Sequence, residues 1–180
     1  TPTIERGIDE LFGLADVIER LGYTASEGAW SVEIMSGPQP IADELRLETP
    51  VELCHLRRTR LADRRPVILC DDYFALDLLQ RQGIRPDEMA DEVIGRGSLY
   101  EWLEERLGLR IDTALTRIEP MPADADTAHA LGVPEGTALL RLRQTHHTPD
   151  GVPVLYSENV HNSDVIHFRV VRHRRARRHR

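Results

Sequence analysis

The chain has 180 residues, enough for one domain with a full hydrophobic core. Its formal net charge of −7 is split: the last twelve residues, RVVRHRRARRHR, hold seven Arg, leaving 16 Arg against 30 acids before them, a net of −14. An acidic body argues against nucleic-acid binding by the domain as a whole, and no apolar run or signal-peptide pattern marks a membrane or secreted protein, so a soluble cytoplasmic protein is expected.

The elements follow in chain order. GIDELFGLADVIERLGY (7–23) puts Ile8, Leu11, Phe12, Ala15, Ile18 and Leu21 on one face at helical spacing, with Gly22 as the stop. GAWSVEIM (28–35) alternates as a strand, and GPQP (37–40) breaks it. A short helix and a long hairpin come next, turning at ADRR (62–65). ALDLLQRQG (75–83) predicts a short helix, and IRPDEMADEVIGRG (84–97) a polar loop or weakly ordered turn. GSLYEWLEERLGLRI (97–111) is the cleanest local signal. Ser98 with Glu101 forms a capping box, Leu99, Trp102, Leu103 and Leu107 make an apolar stripe, and Gly108 ends the helix. DTALTRIEPM (112–121) is a strand, a second helix and hairpin follow, and VIHFRVV (165–171) closes as a last strand. No linker splits residues 1–172, and 173–180 form a basic tail. That tail reads first as a solvated terminus; contact with DNA or an acidic partner is the alternative.

The second hairpin is a looser copy of the first. IADELRLETPVELCHLRRT (41–59) aligns with TAHALGVPEGTALLRLRQT (127–145) at an offset of 86. One extra residue in the second turn makes the offset 87, pairing Asp63 with Asp150, Pro66 with Pro153 and Asp71 with Glu158. Matches run through helix, strand and turn, which favours duplication over chance. Two such units predict one antiparallel sheet with a pseudo-twofold axis. With Leu61 facing Pro66, Arg57 is expected opposite Cys70. Cys54 then lies roughly 10 Å further along, too far for a disulfide. Reduced thiols are the simpler expectation.

Arg58 and Arg60 are two apart on one strand and project to the same face. Side by side they repel unless an anion lies between them, and guanidinium suits phosphate or carboxylate. A solvated face neutralised by Asp71, Asp72 or Glu33 explains them equally well. Ser98 opens a helix whose free N–H groups form a ready anion site, although capping alone accounts for it. Together the three residues make an anion site plausible. No HxxxH, CxxC, GxSxG or phosphate-binding glycine loop is present, so neither metal nor cofactor is expected. Asp71, Asp72 and Glu158 have no visibly poised nucleophile, and nothing argues for catalysis.

Four motifs carry a resemblance: R-x-R-L-A-D-x-x-P-V (58–67), G-S-L-Y-E-x-L-E-E-R-x-G-L-R-I (97–111), A-x-x-L-G-V-P-E-G-T-x-L-L-R-L-R (128–143) and D-G-x-P-V-x-Y-S-E (150–158). In family order they resemble the UTRA domain, the C-terminal effector-binding domain of HutC-type GntR transcriptional regulators. The resemblance spans nearly all of residues 4–170. It implies an α+β, chorismate-lyase-like fold without lyase activity, a homodimer, and an N-terminal winged helix–turn–helix that reads operator DNA. No winged helix occurs in these residues, and the chain begins at Thr1, so a fragment lacking its reader is expected. By the same resemblance Arg58, Arg60 and Ser98 contact an anionic effector, with Tyr100 and Glu158 beside them. Cys70 stands where relatives often carry Glu, and Ile166 where they often carry an aromatic. An anionic effector less hydroxylated than an amino-sugar phosphate is therefore expected. A chorismate-lyase-like enzyme and a ligand-free interaction module are the competing readings.

Overall fold

The computed structural model describes residues 4–7, 11, 13–20 and 22–169. Among them, strands β1 (Ile4–Gly7), β2 (Ala25–Ser36), β3 (Glu52–Ala62), β4 (Arg65–Ala75), β5 (Thr113–Pro122), β6 (Ala138–His147), β7 (Pro153–Asn162) and β8 (Ile166–Arg169) are interspersed with six helices. These are α1 (Leu14–Arg20), α2 (Gln39–Glu44), α3 (Asp77–Gln80), α4 (Pro86–Arg96), α5 (Leu99–Leu107) and α6 (Ala125–Leu131). The main sheet runs β2-β3-β4-β7-β6-β5, with every pair antiparallel.

That order is the predicted duplication made visible. One unit supplies β2-α2-β3-β4, the other β5-α6-β6-β7, and they meet along β4 and β7. Asp71 faces Glu158 across this seam, the same two residues that correspond at an offset of 87. Arg57 faces Asp71, and its counterpart Arg143 faces Glu158. The pseudo-twofold axis therefore passes between the two acids. Asp63 and Arg64 make the first turn with φ of 47° and 69°, left-handed values that match the twist of a two-residue hairpin.

Alternation divides the sheet into two faces. On one, Cys54, Leu56, Phe74 and Leu155 pack against Met89, Ala90 and Val93 of α4 and Leu99, Trp102 and Leu103 of α5. Further along that face, Ile18 of α1 meets Val67, Ile68, Cys70, Val165 and Ile166. The other face is covered by α6 over Leu69, Leu139 and Val160 and by the segment around α2 over Leu53 and Tyr156.

Several expectations change. The opening helix is shorter than 7–23: α1 starts at Leu14, after a strand over Ile4–Gly7, while Ile8, Phe12 and Leu21 lie outside the described residues. Residues 84–97 are not a loop. They form α4, started by Pro86 with Asp87 and Glu88 in its first turn and stopped by Gly97 at φ 77°. Its apolar stripe is narrow, which is why the segment reads as polar. β8 does not join the main sheet but pairs in parallel with β1; Val170 and Val171 lie outside the described residues. Leu61 does face Pro66, but a register shift between Arg60 and Leu61 brings Arg58, not Arg57, opposite Cys70. Cys54 and Cys70 are free and buried. Among the described residues no helix is long and apolar enough to cross a membrane.

The face under α2 and α6 also holds a pH-sensitive contact. His55 Nδ1 lies 2.9 Å from Glu33 and Nε2 2.7 Å from Asp71, with Tyr73 stacked on the ring at 4.4 Å and Arg57 3.7 Å from Asp71. Burial pulls the imidazole pKa down, but the hydrogen bonds to Asp71 and Glu33 outweigh it, and the net shift is upward from 6.5. A raised folded-state value means that the stabilisation is fully present below about pH 6.5 and is lost as pH rises through the folded value. Urea unfolding between pH 5.5 and 9 should show stability falling across that window. His55→Gln should flatten the fall; an unchanged slope would remove His55 as its source.

Candidate functional site

The face bearing α4 and α5 carries two apolar clusters with a polar strip between them. Over that strip lies a narrow cleft lined by Arg58, Asp72, Gln144, Ser157 and Asn159 of the sheet, by Gly13 and Leu14, and by Gly97 to Tyr100. Both hairpins contribute to its floor. Asp72 of β4 and Ser157 of β7 are cross-strand neighbours, so the seam between the two units runs under the cleft.

Charge in this strip is balanced by carboxylates. Arg58 is 5% exposed and Arg60 2%. Arg58 Nη2 donates to Asp72 Oδ2 at 2.9 Å, and Ser157 Oγ donates to Asp72 Oδ1 at 2.6 Å. Glu27 supplies the second acid: its Oε1 accepts from Arg60 Nη1 and lies 3.5 Å from Arg58 Nη1. Arg60 Nη1 also donates to the Gly97 carbonyl at 3.0 Å, tying the strand to the turn that opens α5. Burial pulls the Arg60 guanidinium below its ordinary value. The predicted neutralisers are thus corrected. Asp72 does this work, but Asp71 and Glu33 stand on the opposite face with His55, and Glu27 takes their place.

Satisfaction is incomplete, however. Arg58 Nε and Nη1, Arg60 Nε, Glu27 Oε2 and Asn159 Oδ1 are buried without a hydrogen-bond partner. A buried polar group left unmade costs about 1–3 kcal/mol, more if charged, so such a cluster favours a ligand that completes it.

Ser98 caps α5 as expected, its Oγ accepting from Glu101 N at 3.3 Å, and Gly108 closes the helix at φ 64°. The cap places the first turn of α5 above Arg58. Ser98→Ala should lower stability by about 1 kcal/mol through loss of the cap, measurable by thermal unfolding. A neutral result would mean that water replaces the hydroxyl.

Tyr100 also lines the cleft, its hydroxyl 3.3 Å from His146 Nε2. Burial pushes the His146 pKa down to about 4, so this imidazole is neutral at pH 7 and does not add a cation to the site.

The structure therefore brings Arg58, Ser98 and Tyr100 together at the cleft, with Arg60 adjoining through Gly97. Glu158 does not join them: it stands on the opposite face, 2.9 Å from the Tyr156 hydroxyl and 3.5 Å from Arg143. Alternation explains this, since Ser157 points into the cleft and its neighbour must point away. Cys70 lies opposite Arg58 but is packed in the apolar cluster with Ile166, and burial pushes its thiol up to about 12. Neither residue lines the cleft. Gln144, Ser157, Asn159 and Glu27 were not singled out from sequence. The register expected from the sequence would have set Arg58 on the face of Asp71 and Glu158, so these residues became visible only once the shift between Arg60 and Leu61 brought Arg58 opposite Cys70.

The UTRA domain model matches residues 20–167. The HTH-type transcriptional regulator Rv0792c of Mycobacterium tuberculosis is 33% identical over 147 residues, covering 78% of this chain and 50% of that protein. The probable transcriptional regulator PhnF of Escherichia coli is 30% identical over 129 residues, covering 71% of this chain and 50% of its own length. The chain thus spans about half the length of these two relatives. The effector domain of PhnF from Mycobacterium smegmatis superposes with a TM-score of 0.76 at 19% identity, covering 95% of this chain and 100% of that one. At that identity the likeness establishes the fold alone.

Proposed function

Because the chain belongs to the UTRA domain family, we propose that its cleft is the sensor site of a HutC-type GntR transcriptional regulator and takes a small anionic metabolite. The observation that carries this reading is Arg58: a buried guanidinium lining the cleft with two nitrogens that make no hydrogen bond, beside the first turn of a capped helix. Guanidinium N–H groups and helix N-terminal amides are both donors aimed at the same space, and an anion is what they share. Arg58 and Ser98 bind the anion, Tyr100 donates its hydroxyl, and Arg60 supports Arg58 from behind Gly97.

Residues 1–172 form the sensing unit, with 173–180 as a basic extension. Operator DNA is bound by an N-terminal domain outside this chain, in a homodimer whose twofold symmetry matches a palindromic site. The named relatives are transcriptional regulators, which supports sensing rather than catalysis.

Cys70 and Ile166 bear on effector chemistry. Both sit in an apolar cluster beside the guanidinium pair and neither reaches the cleft, so neither offers an effector a hydroxyl acceptor or a stacking face. The effector is therefore less hydroxylated than an amino-sugar phosphate. A thermal-shift screen of sugar phosphates, amino-acid catabolites and simple carboxylates tests this, with the Arg58→Ala/Arg60→Ala variant alongside. A ligand at about 100 times its Kd adds about 2.7 kcal/mol. Stabilisation of the parent alone by a plain organic anion supports the reading. An amino-sugar phosphate as the tightest ligand would overturn the chemical part. No shift from any anion would overturn the sensor site.

A further inference from the structure

Glu27 has a feature that simple charge neutralisation does not explain. Its side chain is 10% exposed, and one of its oxygens, Oε1, serves both guanidinium groups while Oε2 is buried without a partner. Arg58 Nε and Nη1 and Arg60 Nε are left unmade beside it. One carboxylate thus spans two cations poorly, where an anion with more acceptor oxygens would satisfy more of the same donors.

The backbone shows why Glu27 points there. In β2, Glu27 faces Arg60 and Trp30 faces Arg58, so Gly28 and Ala29 together oppose the single residue Thr59. Without that bulge, residues 27 and 30 would lie on opposite faces of the sheet. The extra residue turns Glu27 onto the arginine face. Gly28 eases it: a Cβ there would come within 3.2 Å of the Thr59 carbonyl oxygen and 3.1 Å of Leu61, contacts that those neighbours would have to relieve. A bulged edge strand is also the kind of backbone that can release a side chain without dismantling the sheet.

We propose that Glu27 is an internal competitor for the effector: its carboxylate stands on the Arg58–Arg60 pair as a surrogate anion, and the effector binds by taking its place. This rests on the sensor reading and adds its regulation. Competition from a tethered carboxylate lowers apparent affinity by the fraction of time that it occupies the site. It also couples binding to β2. When Glu27 leaves, the bulge that holds it is released, and the half-exposed Trp30 three residues on moves with it.

Calorimetric titration of inorganic phosphate into the parent, Glu27→Gln and Glu27→Ala tests this, with Glu33→Gln as a control on the opposite face of the same strand. The glutamine variant keeps an acceptor for Arg60 and should stay folded; circular dichroism checks it, and the alanine variant supplies a second reading. Removing the carboxylate should tighten phosphate binding by about tenfold or more, if Glu27 holds the pair about nine-tenths of the time. The gain should vanish when Arg58→Ala is added and be absent in Glu33→Gln. Equal affinity in parent and Glu27 variants would overturn the competitor and leave the sensor site standing. Phosphate binding to none of them would overturn the competitor too, and the wider ligand screen then decides the sensor reading separately.

Discussion

Arg58→Ala is expected to cost about 3–5 kcal/mol of folding stability, besides removing the anion site. The reason is the company that Arg58 keeps. Asp72, 4% exposed, and Glu27 both lie against its guanidinium in the interior. Deleting one partner of a buried ion pair leaves the other charge desolvated and uncompensated, which is the costly case. Asp72 would keep the Ser157 hydroxyl, and Glu27 would keep Arg60, which limits the loss. Adding Asp72→Asn should restore part of it, because the amide needs no cation. Urea unfolding of the parent, both single variants and the double variant gives the interaction energy directly. A loss below about 1 kcal/mol for Arg58→Ala would show that water enters the cleft and solvates the acids, in the manner of a surface pair.

A comparable loss is expected far from the charges. Trp102 of α5 is fully buried against the sheet, and its Nε1–H donates to Glu92 of α4 at 2.6 Å. Trp102→Ala should destabilise by about 3–5 kcal/mol, the usual range for emptying a large aromatic site. The ring packs in the cluster shared by α4 and α5, so its loss weakens the layer that holds Ser98 over Arg58. Trp102→Phe should cost less, about 1.5–3 kcal/mol, because most of the contact survives and a hydrogen bond to a charged acceptor is lost. Thermal unfolding distinguishes the two. If both variants cost the same, the hydrogen bond rather than the packing dominates.

Legibility varied with the range of the interaction. The capped α5 was readable because its cap, stripe and terminal glycine are all local. The duplicated hairpins were readable because the same pattern occurs twice, and their joining into one sheet followed. α4 was missed because Met89, Ala90 and Val93 make a stripe too narrow to stand out among acids; its helix is stabilised by burying that stripe under β2 and α5. The parallel pairing of β1 with β8 joins the two ends of the described chain, and no local pattern announces such a contact.

For the site, residue type and spacing alone identified Arg58, Arg60 and Ser98, since two arginines at period two and a serine before a helix carry their chemistry with them. Tyr100 and the misplaced Glu158 came with the family resemblance instead. Tertiary structure decided what surrounds them. Glu158 was excluded by strand alternation, which sends Ser157 inward and its neighbour outward. Glu27 was brought in by a bulge, which turns an otherwise outward residue onto the arginine face. The sequence by itself determined the cations, the repeat and the helix that caps the cleft, because these depend on local geometry and side-chain chemistry. Which carboxylates face those cations was decided only when β2, β4 and β7 were laid side by side. A side chain's partner across a sheet is set by register, and a single extra residue in one strand changes it.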